Sequence, residues 1–245
     1  MPPWLLPIVG FLIGSIPFGL LIARAGGVDI RQHGSGNIGA TNVFRVMGKG
    51  PGIGCMILDV LKGLVPVILA VNLVRFEGRS PAIEIGFLSG LAEPFPAGKQ
   101  LYVQIIQVLT GMAAIVGHNY SPWIGFKGGK GIATTGGVLI GLMPFGAVML
   151  ILIWAVVTLT TRYVSVGSIV AAIALPVMTH LGARYHHLDN DKANPTLWEA
   201  GTWNKPLFAL TLVAGILAVW RHRSNIQRLR NGTESRLFSK KENPS

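Results

Sequence analysis

Long apolar runs alternate with short polar stretches along this chain, at approximately 4–23, 52–74, 101–117, 132–160, 164–182 and 206–220. Helices rising about 1.5 Å per residue need roughly 20 apolar residues to cross a hydrocarbon core of about 30 Å. Recurring runs of this length predict a multi-span helical membrane protein rather than a soluble core. A chain of 245 residues has room for six or seven spans with short loops. It leaves none for a separate soluble domain, so 1–245 reads as one membrane-embedded domain. The run 132–160 is long for one span and contains Gly141-Leu142-Met143-Pro144. Pro144 removes a backbone donor and breaks or kinks a helix there. The pattern therefore predicts two shorter helices, 132–142 and 145–160, and seven helices in all.

Charge supplies the topology. Residues 24–49 hold Arg24, Arg31, Arg45 and Lys49 against Asp29, and 124–131 hold Lys127 and Lys130 with no acid. Residues 221–245 carry seven Lys or Arg against Glu234 and Glu242. The two longest polar excursions, 75–100 and 183–205, are balanced. The positive-inside rule places the three cationic loops in the cytoplasm and the N-terminus outside. Parity agrees only if 132–160 crosses twice, which also puts Arg162 and the C-terminus on the cytoplasmic side. Ala23-Arg24-Ala25 loosely resembles a signal-peptidase site, but no Lys or Arg precedes the first run, so it reads as a retained span.

Half the residues are hydrophobic, 13% are charged, mean hydropathy is +0.52, net charge is +11 and the pI is near 10.3. In a membrane chain most of that basicity follows from the positive-inside bias, so nucleic acid is not an expected partner. The lone cysteine, Cys55, makes neither a disulfide nor a zinc site and reads as a small core hydrophobe.

Three cationic stretches carry the candidate chemistry. The first is Gly34-Ser35-Gly36-Asn37-Ile38-Gly39-Ala40-Thr41-Asn42 with Arg45, Gly48 and Lys49. Glycines let a backbone approach an anion, Ser35, Asn37, Thr41 and Asn42 donate without adding charge, and Arg45 offers a planar fork for phosphate. The plainer alternative is a turn followed by an N-cap at Thr41 or Asn42. The second is Phe126-Lys127-Gly128-Gly129-Lys130-Gly131, which opens an apolar helix. A glycine loop at a helix N-terminus suits an anion, although the P-loop spacing is absent. The third is Arg221-His222-Arg223-Ser224-Asn225, where His222 and Asn225 share a face if the helix continues. Arg228, Arg230, Lys240 and Lys241 read as a basic tail on anionic lipid.

Other residues are weaker pointers. His118 stands beside the second stretch and can orient it, while His180, His186 and His187 fall near the outer loop. Asp59 and Lys62 lie one turn apart inside an apolar run, either as a functional pair or as an intrahelical one. No zinc pattern, serine elbow or His-x-x-x-x-Asp signature occurs, so neither metal nor cofactor is expected. The carboxylates near the stretches are Asp29 and Asp59, which leaves proton removal to His222 or to a substrate phosphate.

Taken together, Gly34-Ser-Gly-Asn-x-Gly-Ala-Thr-Asn with Arg45 and Gly48-Lys49 form the first motif of a recognisable set. Gly117-His118 with Phe126-Lys-Gly-Gly-Lys-Gly and Ala133-Thr134 form the second, and His222-Arg-x-Asn-Ile-x-Arg-Leu with Gly232 and Glu234 the third. The set resembles the bacterial acyl-phosphate:glycerol-3-phosphate acyltransferases, the PlsY family, over most of the chain. Asp59-x-x-Lys62-Gly63 also looks like the family, whereas loops 75–100 and 183–205 look longer. The resemblance implies an all-α polytopic membrane bundle in the bacterial inner membrane, with its active site facing the cytoplasm. The implied reaction moves a fatty acyl group from acyl phosphate to the sn-1 hydroxyl of glycerol 3-phosphate, giving lysophosphatidic acid and phosphate. It begins phospholipid synthesis and implies a soluble enzyme that forms the acyl phosphate. The resemblance implies that Ser35, Lys130, His222 and Asn225, with Gly128 and Gly129, hold the phosphates and the developing oxyanion. Arg45 would clamp glycerol phosphate, and Asn37, Thr41 and Asn42 would shape the pocket. The rival readings are a transporter or flippase of phosphorylated anions, and a metal-dependent phosphotransferase on lipid carriers.

Overall fold

The structure is a computed structural model that describes residues 2–75, 77, 80–92, 94–185 and 205–237. It is all-helical apart from one short backbone pairing, Glu77 N–H to the Phe95 carbonyl (2.9 Å) and Phe95 N–H to the Arg75 carbonyl (2.8 Å). In chain order the helices are α1 (Leu5–Gly14), α2 (Phe18–Ala25), α3 (Ala40–Met47), α4 (Lys49–Leu73), α5 (Gly86–Gly90) and α6 (Gln100–Asn119). They continue with α7 (Ile132–Leu142), α8 (Pro144–Thr161), α9 (Val164–Tyr185), α10 (Lys205–Arg221) and α11 (Arg223–Arg230). Among the described residues, five stretches are long and apolar enough to cross a membrane: Leu5–Ala25, Lys49–Leu73, Gln100–Ile124, Pro144–Thr161 and Val164–Leu181.

The run 132–160 is broken as its proline predicts. α7 ends at Leu142, Met143 leaves helical geometry (φ −150°, ψ 72°), and Pro144 opens α8. The first run is one span-length stretch, as expected of 4–23, but not one unbroken helix. It breaks at Ser15-Ile16-Pro17 into α1 and α2, because Pro17 cannot donate to the preceding turn. Carbonyls freed in an apolar interior are costly unless paired. Here Lys62 Nζ donates to the Ile16 carbonyl (2.8 Å) and Ser121 Oγ to the Ser15 carbonyl (2.6 Å). Trp123 Nε1 donates to Ser15 Oγ (2.8 Å). Lys62 is also paired with Asp59 (2.9 Å), both fully buried. Lys62 thus plugs a helix break, while its partner Asp59 faces the cavity at that end of the bundle.

Small residues let the helices approach. Gly14 of α1 lies on the Ala114 backbone of α6, and Gly137 of α7 lies on the Val60 backbone of α4, with no room for a Cβ at either glycine. A core of Val67, Ala114, Val138, Leu150, Leu175 and Leu210 joins α4, α6, α7, α8, α9 and α10. Cys55 is buried among Leu20, Ala23 and Val43, as expected of a small hydrophobe.

The loop after α4 is folded back on its own helix end. Asn72 Oδ1 accepts from the Ile85 N–H (2.8 Å) and Ser89 Oγ (3.0 Å), and its amide donates to the Ile83 carbonyl (3.0 Å). His186, His187 and most of loop 183–205 lie outside the described residues, as do Lys240, Lys241 and Glu242.

Candidate active site

All three cationic stretches meet at one end of the bundle, around a cavity of about 840 Å³. Ser35, Asn37, Thr41, Asn42, Arg45, Lys130, His222 and Asn225 all line it. Its walls are of two kinds. Besides the polar residues, Leu139, Ile140, Leu150, Trp154 and Leu175 line it, an apolar wall fit for an alkyl chain.

The first stretch is a loop tied by one side chain. Asn42 is buried; its Oδ1 accepts the Ser35 N–H (2.9 Å), and its amide donates to the carbonyls of His33 (3.0 Å), Asn37 (2.9 Å) and Ile30 (3.3 Å). Asn42 therefore shapes the loop and has no donor left over for a ligand. Asn37 Oδ1 accepts the Gly39 N–H (2.8 Å). The cap of α3 is Gly39, in extended geometry and without a capping side chain, instead of Thr41 or Asn42. Gly34 and Gly36 take positive φ (60° and 67°), which lets the loop turn over the helix end. Ser35 and Thr41 stay exposed at the rim, and Arg45, half-buried on α3, faces the cavity.

The second stretch packs on the end of α6. Gly128 and Gly129 donate their N–H groups to the carbonyls of Asn119 and His118 (3.1 Å each), so those groups are not free to cradle a phosphate. Neither glycine lines the cavity. Their glycine character is needed for contact: a Cβ on Gly128 would strike the His118 carbonyl, and one on Gly129 the His118 ring. The residues that border the cavity are Lys130, Gly131, Ile132 and Ala133. The last three open α7, whose first-turn N–H groups have no acceptor within the helix.

The third stretch is bent rather than continuous. α10 stops at Arg221, His222 caps α11, and the bend still delivers His222 and Asn225 to the same cavity. Lys130 Nζ donates to Asn225 Oδ1. Asn225 Nδ2 donates to Glu234 Oε1 (2.6 Å), and Arg228 Nε donates to Glu234 Oε2 (2.7 Å). This chain of bonds also fixes the Asn225 amide, oxygen to Lys130 and nitrogen to Glu234. Glu234 is thus a carboxylate at the site that was not counted among those near the stretches. Arg228 is part of its wall rather than of a lipid-facing tail. Asp29 pairs with Arg31 (2.6 Å) and does not line the cavity, whereas Asp59 and His118 do.

Electrostatics follow from burial. Desolvation, and then the nearby Arg228, bring Lys130 down from 10.5 to about 8. Desolvation, with Lys130 next, brings His222 down to about 4, so its imidazole is neutral at pH 7. His222 Nδ1 lies 2.7 Å from the Ala218 carbonyl, which can only accept. Nδ1 therefore carries the hydrogen, and Nε2 keeps its lone pair. Burial raises the Glu234 carboxyl, but hydrogen bonds from Asn225 and Arg228 outweigh it and leave it below its ordinary value. Among the described residues, no group of three or more His, Cys, Asp or Glu is placed to hold a metal ion. Charge-assisted donors beside an apolar pocket can grip a phosphate whose alkyl chain lies in lipid-like surroundings.

The sequence model of the family described as "Glycerol-3-phosphate acyltransferase" matches residues 4–232. The chain is 40% identical over 234 residues to a glycerol-3-phosphate acyltransferase of Geobacter sulfurreducens, covering 95% of this chain and 96% of that one. It is 38% identical over 240 residues to one of Halalkalibacterium halodurans, with 98% and 97% covered. Among solved structures it is similar to PlsY (YgiH), an integral membrane glycerol 3-phosphate acyltransferase, in its glycerol 3-phosphate form. That match has a TM-score of 0.73 and 33% identity, over 97% of this chain and 96% of that one. The lysophosphatidic acid form of the same protein matches with a TM-score of 0.70 and 33% identity, over 96% and 95%.

Proposed function

The chain belongs to the glycerol-3-phosphate acyltransferase family, and from that premise we propose that its acyl donor is an acyl phosphate and its catalytic site is the three-motif cavity. It is an integral membrane acyltransferase of phospholipid biosynthesis, transferring a fatty acyl group to glycerol 3-phosphate to give lysophosphatidic acid. The observation that carries the donor and site assignment is a convergence. Arg45, Lys130, Asn225 and the α7 N-terminus, drawn from three distant stretches, surround one cavity with an alkyl-sized apolar extension.

The proposed roles follow from what each group can reach. Arg45 and Ser35, on the rim, grip the phosphate of glycerol 3-phosphate. Lys130 and the first N–H groups of α7 hold the donor phosphate and the oxyanion that develops at the attacked carbonyl. A mixed anhydride is already activated, so no protein nucleophile is required. The sn-1 hydroxyl attacks the acyl carbon, the carbon–oxygen bond to phosphate breaks, and the phosphate leaves. The hydroxyl proton passes to a substrate phosphate oxygen. A phosphate monoester has a second pKa of about 6, closer to neutrality than His222 at about 4, and so matches a general base better. His222 lines the cavity as a neutral imidazole, and its Nε2 lone pair can accept a hydrogen bond from the other glycerol hydroxyl, leaving the sn-1 proton to the phosphate.

Around this chemistry we place one domain of seven membrane helices, with α1–α2 counted as one crossing and α7 and α8 as two. The N-terminus faces outward, and the cavity and C-terminus face the cytoplasm of a bacterial inner membrane. This orientation rests on the Lys and Arg density of the motif loops. It lets a soluble enzyme supply the acyl phosphate. The reading is tested with purified protein, glycerol 3-phosphate and palmitoyl phosphate in EDTA. Lysophosphatidic acid should form at an unchanged rate. Loss of product in EDTA would move the reading to a metal-dependent phosphotransferase. Glycerol 3-phosphate flux into liposomes without acyl transfer would favour a transporter.

A further inference from the structure

Arg221 ends α10, where a span-terminal arginine ordinarily extends into lipid headgroups. Its guanidinium instead turns inward to the glycine loop. Nη2 donates to the carbonyls of Gly128 (2.7 Å) and Gly129 (2.8 Å), and Nε also donates to Gly129 (3.1 Å). The guanidinium stacks over the Tyr120 ring, 5.2 Å from its centre. Each of the two glycines is thereby held from both sides, its N–H by α6 and its carbonyl by α10.

Peptide planarity carries this clamp one residue further. In a trans peptide the carbonyl and the following N–H point in opposite directions. Binding the Gly129 carbonyl to Arg221 turns the Lys130 N–H away from Arg221, and Lys130 is where the loop first borders the cavity. We propose that Arg221 is a positioning residue for acyl transfer: by clamping the Gly128 and Gly129 carbonyls it sets the Gly129–Lys130 peptide, and so the Lys130 backbone and ammonium, against the substrate phosphate. The proposal rests on the acyl-transfer reading above. It separates Arg221 from the rest of the basic C-terminal segment. Arg230, for example, lies exposed on α11 and carries the same charge.

The test compares full-length wild type with Arg221→Met, Arg221→Lys, Arg230→Met, Lys130→Ala and the Lys130→Ala/Arg221→Met pair. All are assayed with glycerol 3-phosphate and palmitoyl phosphate. Misplacing a substrate-gripping group by about 1 Å can cost about 10²-fold, so Arg221→Met should lower kcat/KM by about 10- to 100-fold. Arg221→Lys keeps the charge but lacks the planar fork, and should recover part of that loss. Arg230→Met should stay within about twofold of wild type, as an exposed surface change does. Because Arg221 acts through Lys130, the double variant should be little slower than Lys130→Ala alone. Equal rates for Arg221→Met and Arg230→Met, or a fully multiplicative loss in the double variant, would overturn the proposal. If Arg221→Met does not fold, the same pairing with Arg221→Lys decides it. A wild type inactive with acyl phosphate would instead sink the functional reading beneath it.

Discussion

Lys130→Met separates catalysis from folding most sharply. Lys130 is largely buried, bonded to Asn225 Oδ1, and brought from 10.5 to about 8 by desolvation and its cationic neighbours. That drop corresponds to about 3–4 kcal/mol spent at neutral pH in keeping the ammonium charged. Replacing it with methionine relieves the strain but forfeits one charged hydrogen bond of about 1.5–3 kcal/mol. The two nearly offset, so the melting temperature should stay at or slightly above wild type. Turnover should not survive in the same way. Losing one preorganised donor to a developing oxyanion costs about 10²–10³-fold, or about 2.7–4 kcal/mol. The wild type adds a pH signature. In the proposed role Lys130 acts as an ammonium, so kcat/KM should fall as pH rises through about 8. Between about 8 and 10.5 the unfolded chain holds more protons at Lys130 than the folded one, so this group makes stability rise with pH over that window. Opposite pH trends in activity and stability are the expected result, read by phosphate release and thermal unfolding in one detergent. A Lys130→Met protein within about tenfold of wild type, or a wild-type profile flat past pH 9, would remove Lys130 from the catalytic site.

Arg45→Ala and Ser35→Ala should each lower kcat/KM by about 10²-fold or more while the protein still inserts and melts normally, checked by initial rates and size exclusion. Gly129→Ala drives a methyl into the His118 ring; with the loop displaced, kcat/KM should fall about 10- to 100-fold. Glu234→Gln removes the carboxylate bonded by Arg228 and Asn225 and should cost about 1–3 kcal/mol in thermal unfolding. Glu234 sits below its ordinary 4.5, so its stabilisation is present above that value and lost as pH falls beneath it. The Gln variant should therefore show a weaker acid destabilisation than wild type.

Much of this arrangement was legible in the chain. The break at Met143–Pro144 followed from run length and proline chemistry, and the cationic loops announced themselves by composition. Pro17 carried the same signal as Pro144, but inside a run of ordinary length it raised no contradiction. The need for a second break appeared only with Lys62 and Ser121 on the freed carbonyls. Gly128 and Gly129 were visible as loop glycines. Whether glycine offers an N–H to a ligand or surface to a neighbouring helix depends on what lies opposite, here the end of α6. Arg228 read as a tail residue, and Glu234 as part of the third motif without a role, because the bond between them closes across a chain reversal at Gly232, with φ 69°. Arg221 gave no sign beyond its place next to His222. Its meaning comes from carbonyls 92 and 93 positions away.

The measurement that bears most directly on the central claim is a side-by-side donor assay. Purified protein receives glycerol 3-phosphate with palmitoyl phosphate or, in parallel, with palmitoyl-CoA, and both inorganic phosphate and lysophosphatidic acid are followed. The two products should form in equal amounts from the acyl phosphate alone, with both lost together in Arg45→Ala and Lys130→Ala. Lysophosphatidic acid formed from palmitoyl-CoA without phosphate release, or full activity in either variant, would contradict it.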